Sequence, residues 1–239
     1  MRDFQMVGGI AALIHAAALL VAIALGVTLM FPILDAAPGQ YLAFVGDNQP
    51  LVYLWNLIAN WGTAIPLVIM ALALHERLKA GSPALAQTAT VFGLIWAALI
   101  IGGGNLMLRD VGIIADLYSK DRAQAETVWL ALEAVETGIV SGNELVGSLW
   151  MLLLGITALR TGGLTKALNY LGVALAVAGL LTLIPDPGMT MVMVFGSGMI
   201  VWSVWVGIVM LRKVPDEAAQ QPASFVSRQR TTGAEGGIR

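Results

Sequence analysis

The chain contains no cysteine, and its 239 residues include only two histidines and few charged side chains, 12% of the total. The absence of cysteine excludes disulfide bonds, thiolate metal sites and thiol catalysis. The net charge of -2 comes without any basic stripe, which argues against a nucleic-acid partner. A soluble domain of this size carries more charge, so the composition indicates a surface that faces lipid.

The motifs of several enzyme classes are also missing. The sequence has no Walker loop, no G-x-S-x-G, no H-E-x-x-H and no Glu-x-x-His pair. Its two histidines, His15 and His75, are far apart along the chain, which argues against bis-histidine haem ligation. We therefore predict no catalytic residue, no metal and no cofactor, and an enzyme is the least favoured class of function.

Long apolar runs are what the chain has instead. Its residues are 58% hydrophobic and its mean hydropathy is +0.81. An α-helix needs about 20 apolar residues to cross a hydrocarbon layer of about 30 Å. Six runs approach that length, and they predict an all-α, polytopic bundle of six transmembrane helices: 6–34, 51–74, 86–108, 138–159, 168–184 and 190–211.

The basic residues predict how the bundle is oriented. Lys and Arg are retained in short cytoplasmic loops, and ten of the thirteen basic residues fall on one side of the six runs. Only Arg109, Lys120 and Arg122 fall on the other side. Both termini are then cytoplasmic. The composition changes after the last run, so we predict a transmembrane domain over residues 1–213 and a disordered cytoplasmic tail over 214–239.

The connection between the third and fourth runs does not have the pattern of a loop. Apolar residues keep a helical spacing on both of its sides, with Glu126, Glu133 and Glu136 between them. We predict that helices three and four extend beyond the membrane as an outer amphipathic hairpin that turns near Lys120 and Asp121. A solvated projection without a further role is the alternative.

Polar residues at membrane depth are costly and usually face the interior of the bundle. The predicted orientation places most of these residues in the outer half of the membrane. Asn56 and Asn60 are one helical turn apart, as are Asn105 and Arg109, so each pair shares a face. The candidate ligand-binding residues are His15, Asn56, Asn60, Asn105, Arg109, Glu136, Asn143 and Glu144.

Each of these residues also has a purely structural interpretation. The asparagines could only hydrogen-bond to neighbouring helices, and Arg109 could only reach lipid phosphate. An ion pair of Arg109 with Glu136 or Glu144 is the sharper expectation, because a carboxylate inside the hydrocarbon must be protonated, paired or hydrated. That expectation predicts strong destabilisation by Arg109→Ala.

Two segments carry a resemblance to a known family. They are the run Gly8-Gly9-Ile10-Ala11-Ala12-Leu13-Ile14 and the segment LTKALNYLGVALAVAGLL at 164–181. Together with the long connection between helices three and four, they resemble a family of six-helix bacterial membrane proteins known only as a domain of unknown function, over residues 6–213. The resemblance implies the architecture and a bacterial cytoplasmic (inner) membrane location, and it implies no activity.

Two functions from different classes remain open. The first is an integral membrane protein with an outward-facing polar pocket that binds or transports a small molecule or lipid. The second is a structural or accessory subunit whose outer hairpin docks a membrane-protein partner. The lipid bilayer is a partner in both.

Overall fold

The computed structural model describes residues 2–34, 36–140, 143–184 and 188–212, and these ranges contain helices and no strand. This confirms the all-helical class. The predicted tail over 214–239 lies outside the described residues. The helices are α1 (Arg2–Leu25, then a π-helical turn Gly26–Met30 and Phe31–Leu34), α2 (Pro38–Asp47), α3 (Gln49–Asn56, a π-helical turn Leu57–Trp61 and Gly62–Leu78), α4 (Pro83–Lys120), α5 (Arg122–Val140), α6 (Asn143–Thr161), α7 (Lys166–Leu181) and α8 (Gly188–Leu211).

Five helical stretches of the described chain are long and apolar enough to cross a membrane: Asp3–Ile33, Gln49–Leu78, Pro83–Lys120, Arg122–Thr161, which takes in α5 and α6, and Thr190–Leu211. The protein is therefore a multi-pass membrane protein. The fifth predicted run corresponds to α7, which has only 16 residues. A helix of that length spans about 24 Å, which is less than the hydrocarbon layer. The count of six crossings stays a prediction.

Six helices pack in a closed ring. In order around the ring, each of α1, α3, α4, α6, α7 and α8 contacts the next, and α8 returns to α1. The main apolar core lies inside this ring and includes Leu67, Met70 and Met199. Neighbouring positions around the ring are therefore mostly neighbours in sequence, which is the arrangement expected when short loops connect antiparallel helices.

Three tryptophans pack through the middle of the core. The ring of Trp150 lies 5.7 Å from that of Trp96 and 5.6 Å from that of Trp202, centroid to centroid. Glycines on neighbouring helices make room for them. A Cβ atom at Gly93 would lie 2.7 Å from Nε1 of Trp150, and one at Gly147 would lie 2.6 Å from Cε2 of Trp96. These glycines are required for close packing against the indole rings.

A short helix, α2, lies between the first and second apolar runs, a segment for which the six runs predict no helix. Pro38 lies at its start, where a missing backbone N–H costs nothing. Leu42 and Val45 are buried beneath α4 and α5. The hydroxyl of Tyr118 donates a hydrogen bond of 3.0 Å to the carbonyl of Gly39. We use the word cap for α2, residues 111–120 of α4 and α5.

The cap contains the predicted hairpin. α4 ends at Lys120 and α5 begins at Arg122, so the chain turns at Asp121. The inner side of the two helices is covered by α2, since Leu42, Ile114 and Ala125 form a small apolar core between them. Whether the hairpin has a role beyond that of a solvated projection is not decided by this packing. Its location on the outer side of the membrane stays a prediction.

Candidate functional site

A cavity of about 270 Å³ lies inside the ring, between α1, α3, α4, α6 and α8. Most of its wall is apolar and aromatic. Four of the predicted candidates reach this cavity, and they are His15, Asn60, Asn143 and Glu144. Both π-helical turns contribute to the wall, through Gly26 in α1 and through Asn60 in α3. Such turns widen a helix locally and are frequent at functional sites.

His15 is one of the residues that line the cavity. Its side chain is 2% exposed, and Nδ1 lies 2.9 Å from the carbonyl oxygen of Thr63. A carbonyl only accepts, so Nδ1 carries the proton of the neutral ring and Nε2 is left as an acceptor. Nε2 is buried and has no hydrogen-bond partner among the residues that the structure describes. This lining residue therefore has an imidazole lone pair that no described group engages.

The two asparagines of α3 form a hydrogen-bonded pair. Nδ2 of Asn60 donates to the backbone carbonyl of Asn56 at 3.1 Å and to its Oδ1 at 3.2 Å. Nδ2 of Asn56 in turn donates to the carbonyl of Val52 at 3.1 Å. Both residues are buried, as the spacing of one helical turn predicts. Their amide donors are used within α3.

The first turn of α6 supplies the remaining polar wall. Nε1 of Trp96 donates a hydrogen bond of 2.8 Å to Oδ1 of Asn143, which ties α4 to α6 at the cavity. The neighbouring Glu144 lines the same cavity, and its Oε2 is buried without a hydrogen-bond partner. An unpartnered acceptor in an apolar wall is costly, so these positions either hold a ligand or water or carry a proton.

The structure places the other candidates elsewhere. Asn105 and Arg109 have exposed side chains and do not line the cavity. The residue that turns toward α5 is Asp110, which is one position, or about 100° of helix rotation, away from Arg109. The side chains of Asp110 and Glu136 lie close together and line the same small cavity. This contact replaces the ion pair expected for Arg109.

No ion pair joins Arg109 to Glu136 or Glu144, all three of which are described. Within the described ranges, the side-chain ion pairs are Lys79 with Glu76 and Lys120 with Asp116. An exposed arginine at this position is free to extend toward water or lipid phosphate. The strong coupling expected from the sequence is therefore not supported by the geometry.

This geometry reverses the expected effect of one substitution. Arg109→Ala should change the free energy of unfolding by no more than about 0.5 kcal/mol, the range typical of exposed positions without a specific partner. Denaturant titration in detergent micelles measures this change. A matched substitution, Asn105→Ala, lies on the same exposed face and should behave alike. If Arg109→Ala alone lowered the free energy of unfolding by about 3 kcal/mol or more, the buried ion pair expected from the sequence would be supported.

A second cavity of about 50 Å³ lies between the ring and the cap. Asn56, Asp110 and Glu136 line it together with Tyr41. Burial, reinforced by the negative charges of Glu136 and Glu133, raises the pKa of Tyr41 to about 12, so its hydroxyl stays protonated at neutral pH. Trp55 and Met107 line both cavities.

The comparison with protein families gives one match. Residues 6–213 match the family described as Domain of unknown function (DUF4386). The chain belongs to this family. The match covers nearly all of the predicted transmembrane domain, which confirms the resemblance found in the sequence. No curated protein and no solved structure matches the chain significantly.

Membership of the DUF4386 family implies no activity, so a function has to be inferred from the residues of the site. Within the described residues, no group of three or more acidic or histidine side chains could hold a metal ion. Several wall residues were not among the sequence candidates, notably Thr63, Trp96 and Asp110. Thr63 lies three residues after Asn60, a spacing that shares a helix face, so the same pattern that marked Asn60 could have found it.

Proposed function

We propose that the cavity inside the ring is a binding site for a small molecule or lipid, and that the protein binds or transports this ligand. The observation that carries the proposal is that two residues lining one cavity, His15 and Glu144, each have a buried acceptor without a partner among the described residues, Nε2 and Oε2. Small-molecule sites are typically apolar pockets of about 300–1,000 Å³ with a few convergent polar groups. The cavity is close to the lower end of that range.

The packing around the polar groups supports a preformed site. His15 is held by the Thr63 carbonyl, and Asn143 is held by the indole of Trp96. Side chains fixed in this way cannot turn to satisfy each other, so a ligand meets them in place without an ordering cost. Asn56, Asn105, Arg109 and Glu136 do not line this cavity, so we assign them no contact with the ligand.

A cavity-filling substitution tests the site. Gly196 lines the cavity, and a Cβ atom there would meet only Cδ1 of Ile23 at an ordinary distance of 3.5 Å. Gly196→Leu should therefore fold and occupy the ligand space. We expect ligands from a panel of hydrophobic amines, alcohols, acids and phospholipids to raise the melting temperature of the wild-type protein and not that of Gly196→Leu.

Gly102→Leu is the control, because a Cβ atom at Gly102 meets no heavy atom within 4 Å. It should keep the full stabilisation by ligand, which amounts to about 2.7 kcal/mol at a ligand concentration 100 times the dissociation constant. Asn60→Ala and Glu144→Gln should reduce it. Equal stabilisation of Gly196→Leu and the control, or no stabilisation of the wild type by any class, contradicts the proposed site.

We also propose that the protein crosses a bacterial cytoplasmic membrane six times with the cap outside and both termini inside. The bias of basic residues supports this orientation. Since the chain has no cysteine, single-cysteine labelling has no background. In intact cells, an impermeant maleimide should label Gln124→Cys in the cap and should label Ala80→Cys, between α3 and α4, only after permeabilisation. The reverse pattern contradicts this topology.

A further inference from the structure

The hydrogen-bonding groups that the cavity inside the ring offers to a ligand are mainly acceptors. The donors of Trp55, Trp96 and Thr63 are used, since they bond to Ala22 O at 3.0 Å, Asn143 Oδ1 at 2.8 Å and Ala59 O at 2.6 Å. Nδ1 of His15 and Nδ2 of Asn60 are bonded to α3 as well. Among the side-chain donors of the described wall, only Nδ2 of Asn143 is left.

The free acceptors are His15 Nε2 and Glu144 Oε2. Both belong to residues of the cavity wall, and the side chain of His15 is 2% exposed. With Glu144 ionised, a ligand that satisfies both must bring at least two N–H or O–H donors, because neither a neutral imidazole acceptor nor a carboxylate can donate. Ligands whose polar end only accepts hydrogen bonds would leave both groups unpaired.

The charged residues of the cavity wall also favour a ligand with a donating, positively charged group. Glu144 is the one acidic residue of the wall, and no Lys or Arg is among the described residues that line it. A carboxylate in such surroundings is stabilised by a cation that enters with the ligand. An anionic ligand would meet repulsion from Glu144 and would have no basic side chain to pair with.

The rest of the wall suits an apolar body with a positive end. Trp96 and Phe195 are 5.9 Å apart, centroid to centroid, and both line the cavity together with Trp55 and Phe31. Aromatic faces attract an organic cation through their quadrupole, and the effect is larger where water is excluded. Met193 and Met199 add unbranched, adaptable side chains that accept varied ligand shapes.

We propose that the ligand is an organic cation, a protonated amine on an apolar body. Its ammonium group donates one hydrogen bond to the Glu144 carboxylate and one to Nε2 of His15, and its apolar body packs against Trp96 and Phe195. This inference rests on the proposed binding function and specifies its ligand class.

Three probes with one apolar body separate the alternatives: 4-phenylbutylammonium, 4-phenylbutanol and 4-phenylbutyrate. We expect the full-length protein in detergent or nanodiscs at neutral pH to bind the ammonium probe about 10–100-fold more tightly than the alcohol, the ratio expected for a charge-assisted hydrogen bond. The carboxylate probe should bind most weakly. Quenching of tryptophan fluorescence and titration calorimetry measure the three dissociation constants.

Glu144→Gln keeps the shape of the side chain and removes its charge. It should weaken binding of the ammonium probe by about tenfold or more and leave the alcohol within about twofold. Glu133→Gln, on the exposed side of α5, is the matched control and should change neither constant. The comparison of probes on the wild-type protein needs no variant, so it decides the inference even if Glu144→Gln does not fold.

Equal affinity for the ammonium and alcohol probes, or tighter binding of the carboxylate, overturns the inference. If Gly196→Leu still abolishes binding of the preferred probe in that case, the proposed binding function stands and only its ligand class is wrong. If none of the three probes binds saturably, the organic-cation assignment is overturned. The proposed binding function is then decided by the panel of amines, alcohols, acids and phospholipids. Both the ligand class and the proposed binding function are wrong only if, in addition, every panel ligand stabilises Gly196→Leu as much as the wild-type protein.

Discussion

Trp150→Ala should lower the free energy of unfolding of the bundle by about 3 kcal/mol. The side chain is fully buried and packs against the rings of Trp96 and Trp202, so its removal leaves a large void between rigid neighbours. Truncation of a buried tryptophan costs about 3–5 kcal/mol in soluble proteins. We expect the lower end of that range, because unfolded helices that stay in lipid do not expose the indole to water.

Unfolding of the purified protein in mixed micelles measures the loss, and Trp205→Ala is the matched control. Trp205 lies on α8 with 36% of its side chain exposed, so its removal leaves no internal void. The control should lose less than about 1 kcal/mol. Similar losses for both variants would show that the indole at position 150 is not packed within the ring.

The apolar runs predicted the helices of the ring well, because the length needed to cross a bilayer is a strong constraint on sequence. The run at 51–74 lies within Gln49–Leu78, and the run at 86–108 lies within Pro83–Lys120. In the cap part of α4, Val111 and Ile114 are three residues apart and both are buried, which fits the helical spacing of apolar residues after the third run. Helix ends were less accurate, since polar residues continue these helices beyond the apolar runs.

Helix rotation was the main source of error at the candidate site. Spacing shows which residues share a face, but it does not show which face turns inward when the whole helix is apolar. Asn56 and Asn60 were correctly paired, and both are buried. On α4 the polar pair Asn105 and Arg109 turned outward, while Asp110 faces α5. Only packing against neighbouring helices, through contacts such as Trp96 with Asn143, decides this rotation.

The cap helix α2 was missed for a different reason. Its ten residues include Pro38, Gly39 and Gly46, which are typical of turns and loops. A helix this short is marginal in isolation, so its stability comes from tertiary packing that no local pattern shows. The contacts that hold it come from residues far along the chain, such as Tyr118 and Trp129.

Leu42→Ala should therefore loosen the cap while the ring stays folded. Leu42 is fully buried between α2 and the two helices of the hairpin, where it packs with Ile114 and Ala125. Truncation of a buried leucine costs about 2–5 kcal/mol. Since the cap core is small and separate from the main core, we expect this loss to appear as local opening of Pro38–Asp47 and Arg122–Val140.

Amide hydrogen exchange resolves the two regions. Exchange in α2 and α5 should accelerate by at least about 30-fold, which corresponds to 2 kcal/mol, while Gly62–Leu78 inside the ring should keep its protection. Gln40→Ala, on the exposed side of the same helix, is the control and should leave exchange unchanged. If both regions lost protection together, the cap and the ring would unfold as one cooperative unit, and if neither did, α2 would not be packed beneath the hairpin.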